Sequence, residues 1–300
     1  MELAVYDSLE HAVSGCFGEG VKITGKSFVG GGDINDSSCI ELSNGQRVFV
    51  KSNSLSNSSF FDAESAGLEA IASTKTIRTP KLLCKGYDGN AGVSFLMMEM
   101  ISRARQASDC WETFGRQLAA MHNADTRDFT SGGKFGFISD NYIGASVQIN
   151  TCKDSWIGFF RECRLEVQIK RASGYFDNDF MKKVIRFLDR LEDLLTEPDH
   201  PSLLHGDLWS GNTITDPEGY QMLIDPAVYV GHAEADIAMT ELFGRLPESF
   251  YRSYRENGLM QDGYERRRDI YNLYHLLNHL NLFGRSYLHS VVDIVRRFLS

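Results

Sequence analysis

The stretch LLHGDLWSGN, residues 203–212, passes from two leucines into a run of polar residues. A strand that ends in a polar loop presents the loop side chains at an open edge, where binding residues often lie. Within the loop, Asp207 stands five residues before Asn212. Thirteen residues later, the stretch MLIDPA puts Asp225 at the end of a second short apolar run. Two carboxylates and one amide can therefore converge on one point.

This set of side chains suits phosphoryl transfer. One carboxylate can take the proton of an attacking hydroxyl, while the other carboxylate and the amide oxygen hold Mg²⁺ on the phosphates of ATP. The alternative is structural: Asp207 and Asn212 are turn residues, and Asp225 precedes a proline turn. The pattern D-x-x-x-x-N does not decide between the two, because short motifs often match by chance.

Features upstream of this loop favour the phosphoryl-transfer interpretation. Lys51 ends the predicted strand VFVK, where a cation on a rigid strand can neutralise the α- and β-phosphates of a nucleotide. Glu64 follows thirteen residues later on the predicted helix FFDAESAGLEAI and is well placed to pair with it. Either residue alone fits an ordinary strand end or a solvated helix face. Together with the polar loop, in this order, they match the working parts of a kinase.

Two further segments complete the predicted nucleotide site. Gly30, Gly31 and Gly32 join two predicted strands, and consecutive glycines let backbone N–H groups approach phosphate oxygens closely. In a kinase, the apolar run FLMMEMI would end where the chain crosses to its second half, so Glu99 and Ile101 would offer backbone groups to adenine. The sequence contains no G-x-x-x-x-G-K-[ST] and no G-x-G-x-x-G opening a helix, so P-loop and Rossmann sites are not supported.

Periodicity divides the chain into a sheet half and a helical half. We expect an α+β fold with two lobes: an ATP-binding lobe at 1–101 and a catalytic, acceptor-binding lobe at 102–300. We expect the first lobe to be a small antiparallel sheet with one key helix at 60–73. A short helix at 2–16, ended by Gly15 and Gly18, comes before the sheet. The predicted strands are at 21–28, 34–42, 46–51, 82–87 and 93–98. The second lobe is mainly helical, with helices at 111–122, 155–172, 179–195, 235–243, 249–256 and 263–283, and short strands at 202–204 and 221–224.

Composition limits the partners and the compartment. The 300 residues carry 31 Lys and Arg against 40 Asp and Glu, a formal charge of -9, which argues against a nucleic-acid partner. No apolar run approaches the roughly 18 residues of a membrane span, and the start MELAVYDSLE is unlike a signal peptide. The six cysteines are far apart, which favours reduced thiols. We therefore expect a cytoplasmic protein with small-molecule or protein partners.

Longer stretches of the chain carry a family resemblance. They are GGGDIN at 30–35, VFVKSN at 48–53, FGFISDNYIGASVQIN at 135–150, LLHGDLWSGN at 203–212, IDPAVYVGHAEADIAMTELFG at 224–244 and LYHLLNHLNLFG at 273–284. The sequence resembles the fructosamine kinase family nearly from end to end. That family is a branch of the protein-kinase-like fold, which also holds aminoglycoside and choline kinases.

The resemblance implies a role for each site residue. Asp207 would be the catalytic base, and Trp209 would be a platform for the sugar. The metal ligands would be Asn212 and Asp225, and the phosphate-positioning pair would be Lys51 and Glu64. Family members transfer the γ-phosphate of ATP to the 3-hydroxyl of a ketosamine, free or protein-bound, and the product then decomposes, which reverses glycation. Some members carry a cysteine after the glycines; this chain has Asp33 there, so no redox switch is expected at that site.

Two rival functions remain open. Another small-molecule kinase, acting on an aminoglycoside, choline or a plain sugar, would use the same ATP machinery. A nucleotide-binding protein without catalysis would be expected to have lost Lys51, Asp207 or Asp225, and all three are present.

Three sets of residues are weaker candidates. His232, Glu234 and Asp236 alternate in a way that suggests a metal site, although Asp236 can also simply cap the helix that follows. His275 and His279 lie one helical turn apart, with Asn278 between them, and either contact the acceptor or tie helices together in the core. Trp209 is either a core residue or, as its polar neighbours favour, exposed in the cleft.

Overall fold

The computed structural model describes residues 3–30 and 34–299 of the chain. Within these residues, six strands form one sheet in the order β1-β5-β6-β4-β3-β2. The strands are β1 (Val5–Tyr6), β2 (Ile23–Phe28), β3 (Asp36–Leu42), β4 (Arg47–Ser54), β5 (Leu82–Asp88) and β6 (Val93–Glu99). All neighbours pair antiparallel except β1, which runs parallel to β5.

Two helices, α1 (Leu9–Phe17) and α2 (Ser58–Ser73), cover opposite faces of this sheet. Side chains alternate along β6, so Met97 packs with Val13 of α1, while Leu96 and Met98 pack with Leu68 of α2. Because both faces are covered, the whole run 94–98 is buried. This explains why the sequence of β6 is an almost continuous apolar run.

The predicted helix at 2–16 is wrong in its first part. Tyr6 belongs to β1, and the helix begins only at Leu9, where Ser8 Oγ accepts a hydrogen bond from the His11 N–H at 3.2 Å. Gly15 does not end the helix but lies inside it. A Cβ at this position would overlap the ring of Tyr6, which accounts for a glycine there. Lys51 also differs from its prediction, since it lies within β4 and not at its end.

The second half of the chain is mainly helical, and the predicted α+β class is confirmed. Its helices are α3 (Cys110–His122), α4 (Trp156–Phe159), α5 (Glu166–Arg171), α6 (Asn178–Leu188), α7 (Leu191–Leu194), α8 (Glu234–Leu242), α9 (Glu248–Asn257), α10 (Tyr264–Phe283) and α11 (Leu288–Arg297). A π-helix at Phe160–Leu165 joins α4 to α5 in one continuous run. The predicted helix at 179–195 is divided, because the chain leaves helical geometry between α6 and α7.

Three pairs of short strands arrange the loops of this half. The pairs are β7 (Asn141–Ile143) with β8 (Ser146–Gln148), β9 (Ser202–Leu204) with β12 (Tyr229–Gly231), and β10 (Thr213–Thr215) with β11 (Gln221–Leu223). The loop 205–212 connects β9 to β10, and the segment 224–228 connects β11 to β12. These loops therefore lie side by side.

Residues 100–109, between β6 and α3, contain no helix or strand. The boundary at residue 101 between two lobes stays a prediction. None of the helices within 3–30 and 34–299 has the length and apolar character needed to cross a membrane.

We expect Gly206→Ala to lower the free energy of unfolding by at least about 2 kcal/mol. Gly206 has a φ of +81°, and a Cβ there would overlap the carbonyl oxygen of Ala227. Chemical denaturation measures the change. Gly174→Ala is the matched control, because a Cβ at that position meets open space, and it should change stability by less than about 0.5 kcal/mol. Equal losses in both variants would contradict the prediction.

Candidate active site

Asp207 lies in the loop after β9, with a quarter of its side chain exposed. Asn212 closes the loop, because its Nδ2 donates to the Asp207 carbonyl oxygen at 2.8 Å and to Asp207 Oδ2 at 3.0 Å. Since the nitrogen makes both bonds, the amide oxygen is the Asn212 atom that can bind a cation. The D-x-x-x-x-N spacing thus corresponds to a direct contact between its two ends.

Burial raises the pKa of Asp207 to about 7. The hydrogen bond from Asn212 opposes this shift, and the negative charges of Asp225 and Asp236 add to it. A carboxylate whose pKa lies near neutrality is well matched to accept a proton in a reaction at neutral pH.

Lys51 joins the sheet to the polar loops. Its Nζ contacts Glu64 Oε1 at 2.6 Å and also forms an ion pair with Asp225 Oδ1. Burial by itself would lower the pKa of Lys51, but the two carboxylates outweigh that effect and raise the pKa above the ordinary lysine value. The ammonium group therefore stays charged between one carboxylate from α2 and one from the segment after β11.

Asp225 adopts a conformation that is rare for a residue other than glycine, with a φ of +54°. Backbone hydrogen bonds hold the chain on both sides of it: Ile224 N donates to Asn212 O at 3.1 Å, and Ala227 N donates to His205 O at 2.9 Å. These bonds join the Asp225 segment to both ends of the Asp207 loop. With 42% of its side chain exposed, the Asp225 carboxylate is accessible to a ligand.

Asp236 holds the backbone of the same loop through hydrogen bonds. It lies inside α8 and is buried, so the prediction that it caps the helix is wrong. Its carboxylate accepts hydrogen bonds from the backbone N–H groups of His205 at 2.7 Å and Gly206 at 2.9 Å. His122 Nε2 lies 3.2 Å from the same carboxylate.

The suggested metal site at His232, Glu234 and Asp236 is not supported. Glu234 binds the guanidinium of Arg267 through both oxygens, at 2.7 and 2.8 Å. His232 Nε2 lies 3.4 Å from Gln261 Oε1. No group of three or more His, Cys, Asp or Glu side chains within residues 3–30 and 34–299 could hold a metal ion.

The two histidines of α10 differ in their surroundings. His275 Nδ1 lies 4.0 Å from Asp207 Oδ1, and burial lowers the pKa of His275 to about 3, so the ring is neutral. His279 lies one turn further along, and its buried Nδ1 has no hydrogen-bond partner among the described residues. Asn278 does tie helices together, since its Oδ1 accepts from Gln168 of α5 at 3.1 Å.

Trp209 lies in the Asp207 loop at the surface, with 37% of its area exposed, so it is not a core residue. Its ring meets that of Phe243 edge-on, with centroids 6.5 Å apart. A Cβ at Gly211 would overlap the indole, so the glycine leaves room for the ring to lie over the loop.

Only some of the residues predicted to contact the nucleotide lie in the part of the chain that the structure describes. Gly30 is exposed in the loop after β2, while Gly31 and Gly32, with Asp33, lie outside the described residues. Glu99 ends β6, and its N–H already donates to the Lys81 carbonyl at 2.9 Å. Ile101 is half-buried in the connecting segment. The roles of these residues toward ATP stay predictions.

A buried polar network surrounds the β7–β8 hairpin and was not predicted from the sequence. Asn141 Nδ2 donates to Val228 O at 2.7 Å, and Gln148 Nε2 donates to Ala227 O at 2.9 Å. Tyr274 Oη donates to Gln148 Oε1 at 2.7 Å. These bonds fix the backbone just after Asp225. The stretch FGFISDNYIGASVQIN contains the two amides, but no spacing rule indicated their partners.

The same hairpin also contacts the first half of the chain. Tyr142 Oη lies 2.7 Å from Ser59 Oγ, and its ring packs on Phe60 with centroids 4.0 Å apart. Ser59 and Phe60 belong to α2, the helix that carries Glu64. The hairpin therefore contacts both elements whose carboxylates meet at Lys51.

Comparison with known proteins gives the family. A sequence model of the fructosamine kinase family matches residues 5–300. The chloroplastic protein-ribulosamine 3-kinase of Arabidopsis thaliana is 42% identical over 291 residues, which cover 94% of this chain and 85% of the relative. A protein of Synechocystis sp., named a probable ketoamine kinase, is 38% identical over 300 residues, covering 99% of this chain and 97% of the relative.

A solved structure agrees with these relatives. The crystal structure of a protein from Haemophilus somnus, assigned provisionally as a fructosamine-3-kinase, superposes with a TM-score of 0.85 at 29% identity. The match covers 98% of this chain and 97% of that chain. The chain belongs to the fructosamine kinase family.

Proposed function

We propose that this protein is an ATP-dependent kinase that phosphorylates the 3-hydroxyl of a ketosamine. The observation that carries the proposal is the contact of the Lys51 ammonium with both Glu64 and Asp225, beside the closed Asp207–Asn212 loop. The names of the relatives, a protein-ribulosamine 3-kinase and a ketoamine kinase, support the choice of acceptor.

The residues around the proposed nucleotide site fit ATP with Mg²⁺. Lys51 carries a fixed positive charge that suits the α- and β-phosphates. Asn212 and Asp225 present one amide and one carboxylate on adjoining segments, and hard oxygen donors of this kind are what Mg²⁺ takes in proteins. When bound, Mg²⁺ neutralises charge on the phosphates. Glu64 acts through Lys51 by fixing the direction of the ammonium group.

Asp207 accepts the proton of the attacking hydroxyl in this proposal. His275 stays neutral 4.0 Å from it and is available to contact the acceptor, as is His279 one turn further. Trp209 offers an exposed ring on which the apolar face of a sugar can pack. Decomposition of the 3-phosphorylated product would then free the amine, which is a deglycation repair activity.

The proposed compartment is the cytoplasm. All six cysteines are free in the structure, and the two least buried, Cys16 and Cys152, are unpaired like the others. Unpaired thiols are typical of proteins in reducing compartments.

The function is tested by an ATP-consumption screen with Mg²⁺. The acceptors are fructosamine, ribulosamine and erythrulosamine adducts, with aminoglycosides and choline as the competing classes. We expect turnover of at least one ketosamine, loss of that turnover with a chelator, and none with the competing classes. Turnover of an aminoglycoside or choline without any ketosamine would overturn the proposal.

We expect Asp207→Asn to lower kcat by roughly two to four orders of magnitude, because the amide cannot accept the hydroxyl proton. The KM for ATP should stay within about threefold, since Asp207 does not contact the phosphates in this scheme. Steady-state kinetics with the best ketosamine measure both. A variant with near-normal turnover would show that another group is the base.

We expect Lys51→Met to lower kcat/KM for ATP by at least about a hundredfold, because it removes the cation that meets the phosphates. Lys85→Met is the matched control. Lys85 of β5 pairs with Asp62 of α2, so it repeats the strand-to-helix ion pair at a more exposed place. The control should change kcat/KM by less than about twofold. Similar losses in both variants would count against a phosphate role for Lys51.

We expect Trp209→Ala to raise the KM for the ketosamine by about tenfold and to leave the KM for ATP within about twofold. Gly211→Ala should act in the same direction, because its Cβ displaces the indole. Initial-rate measurements at varied concentrations of each substrate separate the two constants. Equal effects on both substrates would mean that other residues recognise the acceptor. His275 and His279 would then be the first residues to test.

A further inference from the structure

One face of α2 is turned toward the helical half of the molecule. Phe60, Glu64 and Gly67 stand at positions i, i+4 and i+7 of this helix, so they share a face. One turn before Glu64, the ring of Phe60 packs on the ring of Tyr142 in β7. After Glu64, a Cβ at Gly67 would come within 3.1 Å of Pro226 Cγ, so the helix runs close to the segment between β11 and β12. Glu64 therefore has a contact with the helical half on either side of it.

Contacts with the sheet fix the rotation of α2 about its axis only loosely. Phe61 and Leu68 pack on the sheet in one apolar cluster, and apolar attraction has no direction. Tyr142 supplies a directed contact, because its Oη lies 2.7 Å from Ser59 Oγ in the first turn of the helix. A rotation that carried Glu64 away from the sheet would break this hydrogen bond.

The β7–β8 hairpin that carries Tyr142 is itself fixed on both of its strands. In addition to the two amide bonds to the segment 227–228, Asn278 Nδ2 of α10 donates to the Ile143 carbonyl oxygen at 3.4 Å. On the other strand, Arg171 Nη2 at the end of α5 donates to the Val147 carbonyl oxygen at 2.9 Å. Tyr142 therefore contacts α2 from a hairpin that several helical elements hold in place.

We propose that Tyr142 is a positioning residue for phosphoryl transfer, which keeps Glu64 on Lys51 by holding the first turn of α2. The inference rests on the proposed function, in which the Lys51 ammonium group meets the phosphates of ATP. If Glu64 left its place, Lys51 would pair with Asp225 alone, because that carboxylate already contacts its Nζ. The ammonium group would then be drawn onto the carboxylate that the proposed function assigns to Mg²⁺.

The experiment removes this contact one part at a time. Tyr142→Phe and Ser59→Ala each remove the hydrogen bond, and Tyr142→Ala also removes the ring. Tyr87→Ala is the matched control, because Tyr87 of β5 is 40% exposed and belongs to the sheet that carries Lys51. Each change is made in the wild type and again in a Glu64→Gln background. The measurements are the Kd for ATP with Mg²⁺, kcat/KM for ATP with the best ketosamine, and the midpoint of thermal unfolding.

We expect Tyr142→Ala to lower kcat/KM for ATP about tenfold in the wild type, and by less than about twofold in the Glu64→Gln background, because its effect passes through Glu64. The Kd for ATP should rise by about threefold or more in the wild type and stay within about twofold in that background. Tyr142→Phe and Ser59→Ala should show equal and smaller losses of kcat/KM, about threefold, since each removes only the hydrogen bond. Tyr87→Ala should match the wild type.

Other outcomes overturn the inference. Losses of equal size in both backgrounds would mean that Tyr142 supports the fold without acting through Glu64. Wild-type kcat/KM in Tyr142→Ala would also overturn it, whatever happens to the unfolding midpoint. If Tyr142→Ala is unfolded at the assay temperature, Tyr142→Phe and Ser59→Ala carry the same comparison between backgrounds. If the wild type turns over no ketosamine, the proposed function fails, whereas the Kd for ATP still tests the role of Tyr142.

Discussion

One buried ammonium group links the two halves of the molecule. Lys51 comes from the sheet, Glu64 from the helix packed on it, and Asp225 from a loop 174 residues further along the chain. Removing such charges from water costs several kcal/mol per ion, and only close partners offset that cost. Because Lys51 needs both carboxylates, α2 and the Asp225 segment must each be held in place by their own surroundings. Much of the remaining structure does this.

In the helical half, other buried charged side chains hold the loops from the core side. Asp236 accepts two backbone N–H groups from the Asp207 loop, and Arg267 binds Glu234 at the start of α8. Asp207 and Trp209 can therefore be partly exposed, since the backbone before them is held by the buried carboxylate of Asp236. The left-handed conformation of Asp225 is kept by backbone hydrogen bonds on either side of it.

The sequence was sufficient to predict the elements whose pattern lies in neighbouring residues. Alternating apolar residues and turn residues predicted β2 to β6 to within a few residues. The pairing of Lys51 with Glu64 was predicted as well, and so was the convergence of Asp207 with Asn212. Non-local pairing was the main source of error. β1 is only two residues long and exists because Lys85 and Gly86 pair with it. Asp236 acts on backbone groups 30 and 31 residues away, and such a contact leaves no periodic pattern.

The β7–β8 hairpin limits how the two halves of the molecule can move. It is hydrogen-bonded to the segment after Asp225 and touches α2 through Tyr142. A rotation of the sheet against the helical half must therefore either break the contact of Tyr142 with Ser59 and Phe60 or leave α2 behind with the hairpin. In the second case, α2 would shift against its own sheet and not against the loops. The separation of Glu64 from Asp225 would then stay constant, because both residues lie on elements held by the hairpin, and only Lys51 would move with the sheet.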